Sequence, residues 1–258
     1  CAGRAFLWTI VCGVYGCHRA NCCIGLVLPK AAGARPHLWS CEIMALNAAL
    51  TGSTEKTCIL TGTNSGIGQS VDAALWVKDC QPDVLFNNAA LFDMVLVLDA
   101  NLTQMDRFFG VNVRAFYALF QAASQSVVAS NTKGSITNMA SQVGPCGEAL
   151  VAHYCATKAA VISYKKPAAL PLAVHGVRVN AISQCVIDTP KWKTVDELYA
   201  KFEGKEPGQK KREVGEAVPL GYVGAPEEVA CVAGFLVPQK SEYIMAQTIS
   251  VDGGNVLR

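Results

Sequence analysis

Tyr154 and Lys158 stand four residues apart, and Ser141 stands thirteen residues before the tyrosine. On a helix, positions i and i+4 share one face, so phenol and ammonium would project into the same cleft. A phenol normally loses its proton near pH ~10. A neighbouring ammonium favours the phenolate and brings the phenol into range as a general acid/base near neutrality. Ser141 follows the apolar, strand-like run 135–140, where its hydroxyl can hold a substrate oxygen against the phenol. This is equipment for moving a proton on and off an alcohol oxygen. Taken alone the pair is a weak signal, since this spacing also arises by chance as an exposed charge beside a half-buried ring.

Other motifs accompany it. The apolar run Thr57-Cys58-Ile59-Leu60 feeds into Thr61-Gly62-Thr63-Asn64-Ser65-Gly66-Ile67-Gly68. A strand, a glycine-rich turn and a helix form the dinucleotide-binding arrangement: glycines let the backbone approach a pyrophosphate, and the helix N-terminus offers it unpaired N–H groups. Gly62, Ser65, Gly66, Ile67 and Gly68 are therefore candidate cofactor-binding residues, with an ordinary glycine turn as the alternative. A second apolar strand, 83–87, runs into Asn87, Asn88 and Ala89. Asn112 interrupts an apolar helical stretch, where asparagine is a poor helix former and needs a reason. Val251-Asp252-Gly253-Gly254 lies close to the C-terminus.

Together and in this order, these motifs resemble the short-chain dehydrogenase/reductase family, from about Thr57 onward. The resemblance implies an α/β, Rossmann-like doubly wound parallel sheet in a single domain. It implies Tyr154 as acid/base, Lys158 as the group that lowers its pKa and binds the nicotinamide ribose, and Ser141 as the substrate-orienting hydroxyl. Asn112 would hold a water relaying protons from Lys158. Asn88 and Ala89 would line the adenosine side, and Ile187 with Thr189 would meet the carboxamide. The runs 88–93, 138–142, 147–151, 154–163, 210–214 and 242–247 are similar to the bacterial sorbitol (polyol) dehydrogenase branch, which implies a small polyol or ketose substrate. Gln142 and Glu148 would then hydrogen-bond its further hydroxyls; a solvated loop explains both equally well. The family also implies a homotetramer built through the Tyr154 helix, the preceding helix and the C-terminus.

Composition bounds these expectations. The chain has 258 residues, of which 51% are hydrophobic and 16% charged, against roughly 25% charged in ordinary soluble domains. A sparsely charged surface fits a chain that buries area against its own copies. A net charge of +2 gives no reason to expect a nucleic-acid partner. The longest basic run, Lys210-Lys211-Arg212, fits a solvated loop. Six of the twelve cysteines precede residue 42. Their spacings lack the paired Cys-x-x-Cys of a zinc site, so no metal is expected. The other cysteines read as buried, reduced thiols of a cytoplasmic enzyme. Residues 5–16 are apolar after one arginine, as in a signal sequence, but the stretch is too short to span a bilayer and His18, Arg19 and Asn21 break it. No membrane partner is expected. Residues 1–55 read as a cysteine-rich extension, with 1–43 non-native or translated upstream sequence, and 56–258 as the dehydrogenase domain.

The periodicity predicts strands at 57–61, 83–87, 135–140, 177–182 and 246–251, helices at 69–78, 104–128, 151–174 and 226–236, and an irregular lid at 188–216. Three departures from the family follow. Only eighteen residues separate Gly68 from Asn87. One βαβ unit takes ~30 residues, so this interval is about fifty short. The segment that grips the adenosine ribose and adds the flanking strands of the first half is thus missing, leaving the 57–61 strand at the sheet edge unless 6–11 or 24–28 replaces it. Gln184-Cys185 stands where the family has Pro-Gly, so Cys185 would be strained or forced to positive φ. Pro167 and Pro171 each cost ~3 kcal/mol inside the Tyr154 helix and would disturb its oligomer face. Thr63, Asn64 and Ser65 offer no cation for a 2′-phosphate, which points to NAD. Two function classes result: an NAD-dependent polyol dehydrogenase, or a cofactor-impaired relative without turnover. A nucleotide-sugar epimerase shares the Tyr-x-x-x-Lys pair, but the 251–254 ending argues against it.

Overall fold

The computed structural model describes residues 23–25, 58–61, 83–189, 191–237 and 239–257. Six parallel strands make one sheet: β1 (Cys23–Gly25), β2 (Cys58–Thr61), β3 (Val84–Asn87), β4 (Gly134–Met139), β5 (Val177–Gln184) and β6 (Thr248–Val251). They lie side by side in chain order. β3 and β4 are buried along their whole length, as parallel strands covered on both faces must be. Alternate residues serve the two faces. Leu85, Ile136, Val177 and Val179 meet one layer of helices, while Val84, Phe86, Met139 and Ile182 meet the other.

The first layer comprises α2 (Phe116–Ala129) and α3 (Ala152–Ala173). Phe116, Leu119, Phe120 and Val127 of α2 join Val161 and Ala169 of α3 against the sheet. The second layer is α6 (Pro226–Leu236), which contributes Val229, Ala230, Ala233 and Leu236. Ahead of α2 runs α1 (Leu102–Phe109), joined to it by a π-helical turn, Gly110–Ala115. Asn101 caps α1 reciprocally: its Oδ1 accepts from the Gln104 N–H at 3.0 Å and its own N–H donates to Gln104 Oε1 at 3.1 Å. The helix expected at 104–128 is this α1–π–α2 unit.

The structure corrects two expectations. The strand at 58–61 is not the sheet edge. Cys23, Ile24 and Gly25 pair with Cys58, Ile59 and Leu60 on its outer side, so the 24–28 candidate overlaps β1; the 6–11 candidate and the 69–78 helix lie outside the described residues. The 188–216 segment is not irregular, since it holds α4 (Lys191–Glu203) and α5 (Gln209–Ala217). The helix expected at 151–174 is α3, which runs through both Pro167 and Pro171. Both are exposed, on the helix face away from Lys165 and Ala169. There the carbonyls deprived of an N–H partner can turn to water.

Candidate active site

Tyr154 lies in the first turn of α3, and Lys158 one turn later. The lysine Nζ sits 5.6 Å from the centre of the tyrosine ring. Lys158 is only 4% exposed, and its Nζ donates to the Met139 carbonyl at 2.7 Å. Met139 is the last residue of β4, two positions before Ser141, so the lysine ties the helix to the strand end that carries the serine. Gly144 permits this approach: a Cβ there would come within 2.8 Å of Ile162 Cδ1 and 3.1 Å of the Lys158 carbonyl carbon. Ser141 is buried, and its carbonyl accepts from the Gly144 N–H at 3.0 Å. The three side chains thus gather at the carboxyl end of β4, the edge where open parallel sheets bind ligands. The Tyr154 ring is steadied edge-on by Phe92, with centroids 5.1 Å apart.

Asn112 occupies the π-helical turn, a local widening common at functional sites. Its amide clamps Leu91 through both backbone groups. Oδ1 accepts from the Leu91 N–H at 2.7 Å, and Nδ2 donates to the Leu91 carbonyl at 2.9 Å. Nδ2 also donates to Thr157 Oγ1 at 3.1 Å, and Thr157 in turn donates to the Tyr154 carbonyl at 2.8 Å. The side chain therefore braces the Leu91 loop against α3 beside Lys158, a structural role beside the water-holding one that the family resemblance implies.

One hydroxyl organises the carboxyl ends of β2 and β3. Thr61 Oγ1 accepts from the N–H groups of Asn88 at 3.1 Å and Ala89 at 3.2 Å, and donates to Asn87 Oδ1 at 3.2 Å. Asn88 and Ala89 are thereby fixed at the sheet edge; Gly62, Ser65, Gly66, Ile67 and Gly68 lie outside the described residues. Beyond β5, positive φ falls on Val186 (φ 50), not on Cys185 as expected. The sharp turn is kept one residue later, and a β-branched residue bears its strain. Burial above all, with Glu148 and Asp252 adding negative charge, pushes the Cys185 thiol up to about 12. Ile187 and Thr189 carry the lid: the Ile187 carbonyl accepts from Trp192 Nε1 at 2.8 Å, and the Thr189 carbonyl from the Trp192 N–H at 2.9 Å.

Both polar residues near Ser141 lie in the loop after β4, and each is hydrogen-bonded. Gln142 Oε1 accepts from Asn255 Nδ2 at 2.7 Å, and Glu148 Oε1 accepts from the Tyr199 hydroxyl at 2.6 Å. The run Lys210-Lys211-Arg212 is no solvated loop. It lies on α5, with Lys210 paired to Glu203 and Lys211 to Asp188. Among the described residues, no group of three or more His, Cys, Asp or Glu side chains is placed to hold a metal ion, and no helix is long and apolar enough to cross a membrane.

The family described as enoyl-(acyl carrier protein) reductase matches residues 70–255, well over half of the chain. Sorbitol dehydrogenase of Cereibacter sphaeroides is 47% identical over 173 residues, 67% of this chain and 68% of that one. The chain belongs to the short-chain dehydrogenase/reductase family. Galactitol 2-dehydrogenase of Agrobacterium fabrum is 45% identical over the same shares. Among solved structures, levodione reductase superposes with a TM-score of 0.72 at 19% identity, covering 83% of this chain and 92% of that one. A putative 2-deoxy-d-gluconate 3-dehydrogenase from Agrobacterium tumefaciens, with bound NADP, gives 0.70 at 22% identity, covering 84% and 91%. At such identities these two show the fold.

Membership makes this chain an oxidoreductase by family. The alignments to both dehydrogenases leave about a third of each chain unmatched, in keeping with the short interval between Gly68 and Asn87. Sequence reasoning within the family missed Thr61, Thr157, Trp192 and Tyr199. Thr61 was visible as the residue opening the glycine turn. Tyr199 was visible through the apolar spacing Val195, Leu198, Tyr199 and Phe202, one face of a helix. Those four side chains pack with Phe92, Met94, Val151 and Tyr154, so the lid helix meets the tyrosine itself.

Proposed function

We propose that this chain oxidises a secondary hydroxyl of a polyol to a ketone, with NAD as the hydride acceptor and Tyr154 as the general base. The observation that carries this reading is the buried Lys158, held by the Met139 carbonyl with its ammonium 5.6 Å from the Tyr154 ring. In that position its charge favours the phenolate. Tyr154 would take the hydroxyl proton, Ser141 would hold the same oxygen, and Asn112 would keep the Leu91 loop and α3 in register. Relatives named sorbitol dehydrogenase and galactitol 2-dehydrogenase support a polyol, as do Gln142 and Glu148 beside Ser141. Hydrogen bonds to several hydroxyls are what such a substrate demands.

The described residues fit the nicotinamide end of a dinucleotide. A buried ammonium at the carboxyl end of the sheet suits ribose hydroxyls. Lys158 would hold the nicotinamide ribose, Asn88 and Ala89, fixed by Thr61, would line the adenosine side of the cleft, and Ile187 with Thr189 would meet the carboxamide. Bound NAD would supply the hydride acceptor. Residues 56–258 are the catalytic domain in this reading, and exposed Tyr117, Leu170 and Val174 on α2 and α3 support a homotetramer. The free thiols Cys146, Cys155, Cys185 and Cys231 support a cytoplasmic setting.

The short Gly68–Asn87 interval favours a second reading, a cofactor-impaired relative. Isothermal titration with NADH separates the two. Saturable binding is expected of the dehydrogenase; absence of binding would establish the impaired relative instead.

A further inference from the structure

Tyr199 belongs to the lid helix α4, yet it is only 7% exposed. Its hydroxyl crosses to the loop after β4 and donates to Glu148 Oε1 at 2.6 Å. Lys210 of α5 caps the other side of the ring, with Nζ 4.1 Å from its centre. Neighbouring Val195, Leu198 and Phe202 seat the helix on the cluster that contains Tyr154 and Phe92. Glu148 is close enough to the nicotinamide turn for its charge to help raise the Cys185 thiol, and it also acts on Cys155 in the first turn of α3. The carboxylate therefore lies near Cys185 and near the first turn of α3, the turn that carries Tyr154. One of its oxygens is committed to Tyr199, while the residue as a whole is exposed.

We propose that Tyr199 is a positioning residue that sets specificity. Its hydroxyl latches α4 over the cleft and holds Glu148 so that the second carboxylate oxygen accepts a hydrogen bond from a hydroxyl of the substrate other than the one being oxidised. This rests on the polyol reading above. A carboxylate acceptor discriminates in favour of polyhydroxylated substrates because a simple secondary alcohol has no second hydroxyl to offer it. Burial first, and then the bond to Glu148, raise the Tyr199 phenol above its ordinary range.

Tyr199→Phe removes the hydroxyl and keeps the ring in its packing. In the full chain with NAD, KM for sorbitol should rise roughly tenfold, the scale of a hydrogen bond to a charged group. The sorbitol kcat should stay within about threefold, and KM for 2-butanol should change several-fold less than KM for sorbitol. Amide hydrogen exchange across 191–203 should quicken. Glu148→Ala should reproduce the selective loss on sorbitol, and the double variant should be no worse than Glu148→Ala alone. Equal losses on both alcohols, strictly additive effects in the double variant, or unchanged exchange would each overturn the proposal. A chain that oxidises no alcohol sinks the polyol reading and the specificity role together. The exchange comparison still decides whether the latch exists.

Discussion

Lys165 shows how far a single side chain can be read. It is 0% exposed, and its Nζ donates to the Ala246 carbonyl at 2.6 Å, which pins a turn where Ala246 has φ 58. Burial, with repulsion from Lys166 adding to it, lowers its pKa from 10.5 to about 8. Below pH 8 the amine is charged in both folded and unfolded chains, and the fold bears the full cost. Between 8 and 10.5 the folded amine is neutral while the unfolded one still binds a proton, so stability rises with pH. Lys165→Met should therefore stabilise the protein at pH 7, by at most on the order of 3 kcal/mol and less whatever the orphaned Ala246 carbonyl costs. Urea denaturation of both proteins at pH 7 and pH 10 checks this; a gap that fails to shrink at pH 10 refutes the assignment. Burial of Lys165 was invisible in a sequence that places Lys165 beside Lys166. Tyr154 and Lys158 were legible because helix geometry fixes an i, i+4 pair, and Ser141 because it ends an apolar strand. The helical spacing around Tyr199 was legible too, but not its bond to Glu148, a partner 51 positions away.

Elements were legible where one period dominates and not where punctuation does. The strands and α3 follow their patterns within a few residues. The lid was misread because Pro190, Gly204, Pro207 and Gly208 look like loop composition. The helices between them are held by tertiary contacts: the Asp196 carboxylate accepts from the Gly208 N–H, and Glu203, Lys205, Lys210 and Glu213 form an ion-pair network. The prolines of α3 carry a cost without ending the helix, which runs through both; on its exposed face the freed carbonyls can turn to water. Pro167→Ala should restore the hydrogen bond to the Ser163 carbonyl and raise stability by about 1–3 kcal/mol, read as a higher urea midpoint with an unchanged slope. A lower midpoint would mean that the proline is seated in an interface.

At the scale of the molecule, the sheet closes its open flank with three residues from the segment set aside as an extension. β1 is too short to carry a pattern, and its pairing is a property of the assembled sheet. Pairing alone does not supply a ribose-binding acid. Affinity for NADH should therefore fall roughly ten- to a hundredfold below that of an untruncated relative, as loss of a charged hydrogen bond predicts. NADPH should bind more weakly still. Tight NADPH binding, or NADH binding at full family strength, would show that residues before 58 rebuild the adenosine pocket. The central claim is that Tyr154 moves the proton of an alcohol. The rate of NADH formation from NAD and sorbitol, in the intact chain and in Tyr154→Phe, tests it most directly. The account predicts measurable turnover that falls ~10²–10⁴-fold in the variant; a variant keeping more than roughly a tenth of the rate would contradict it.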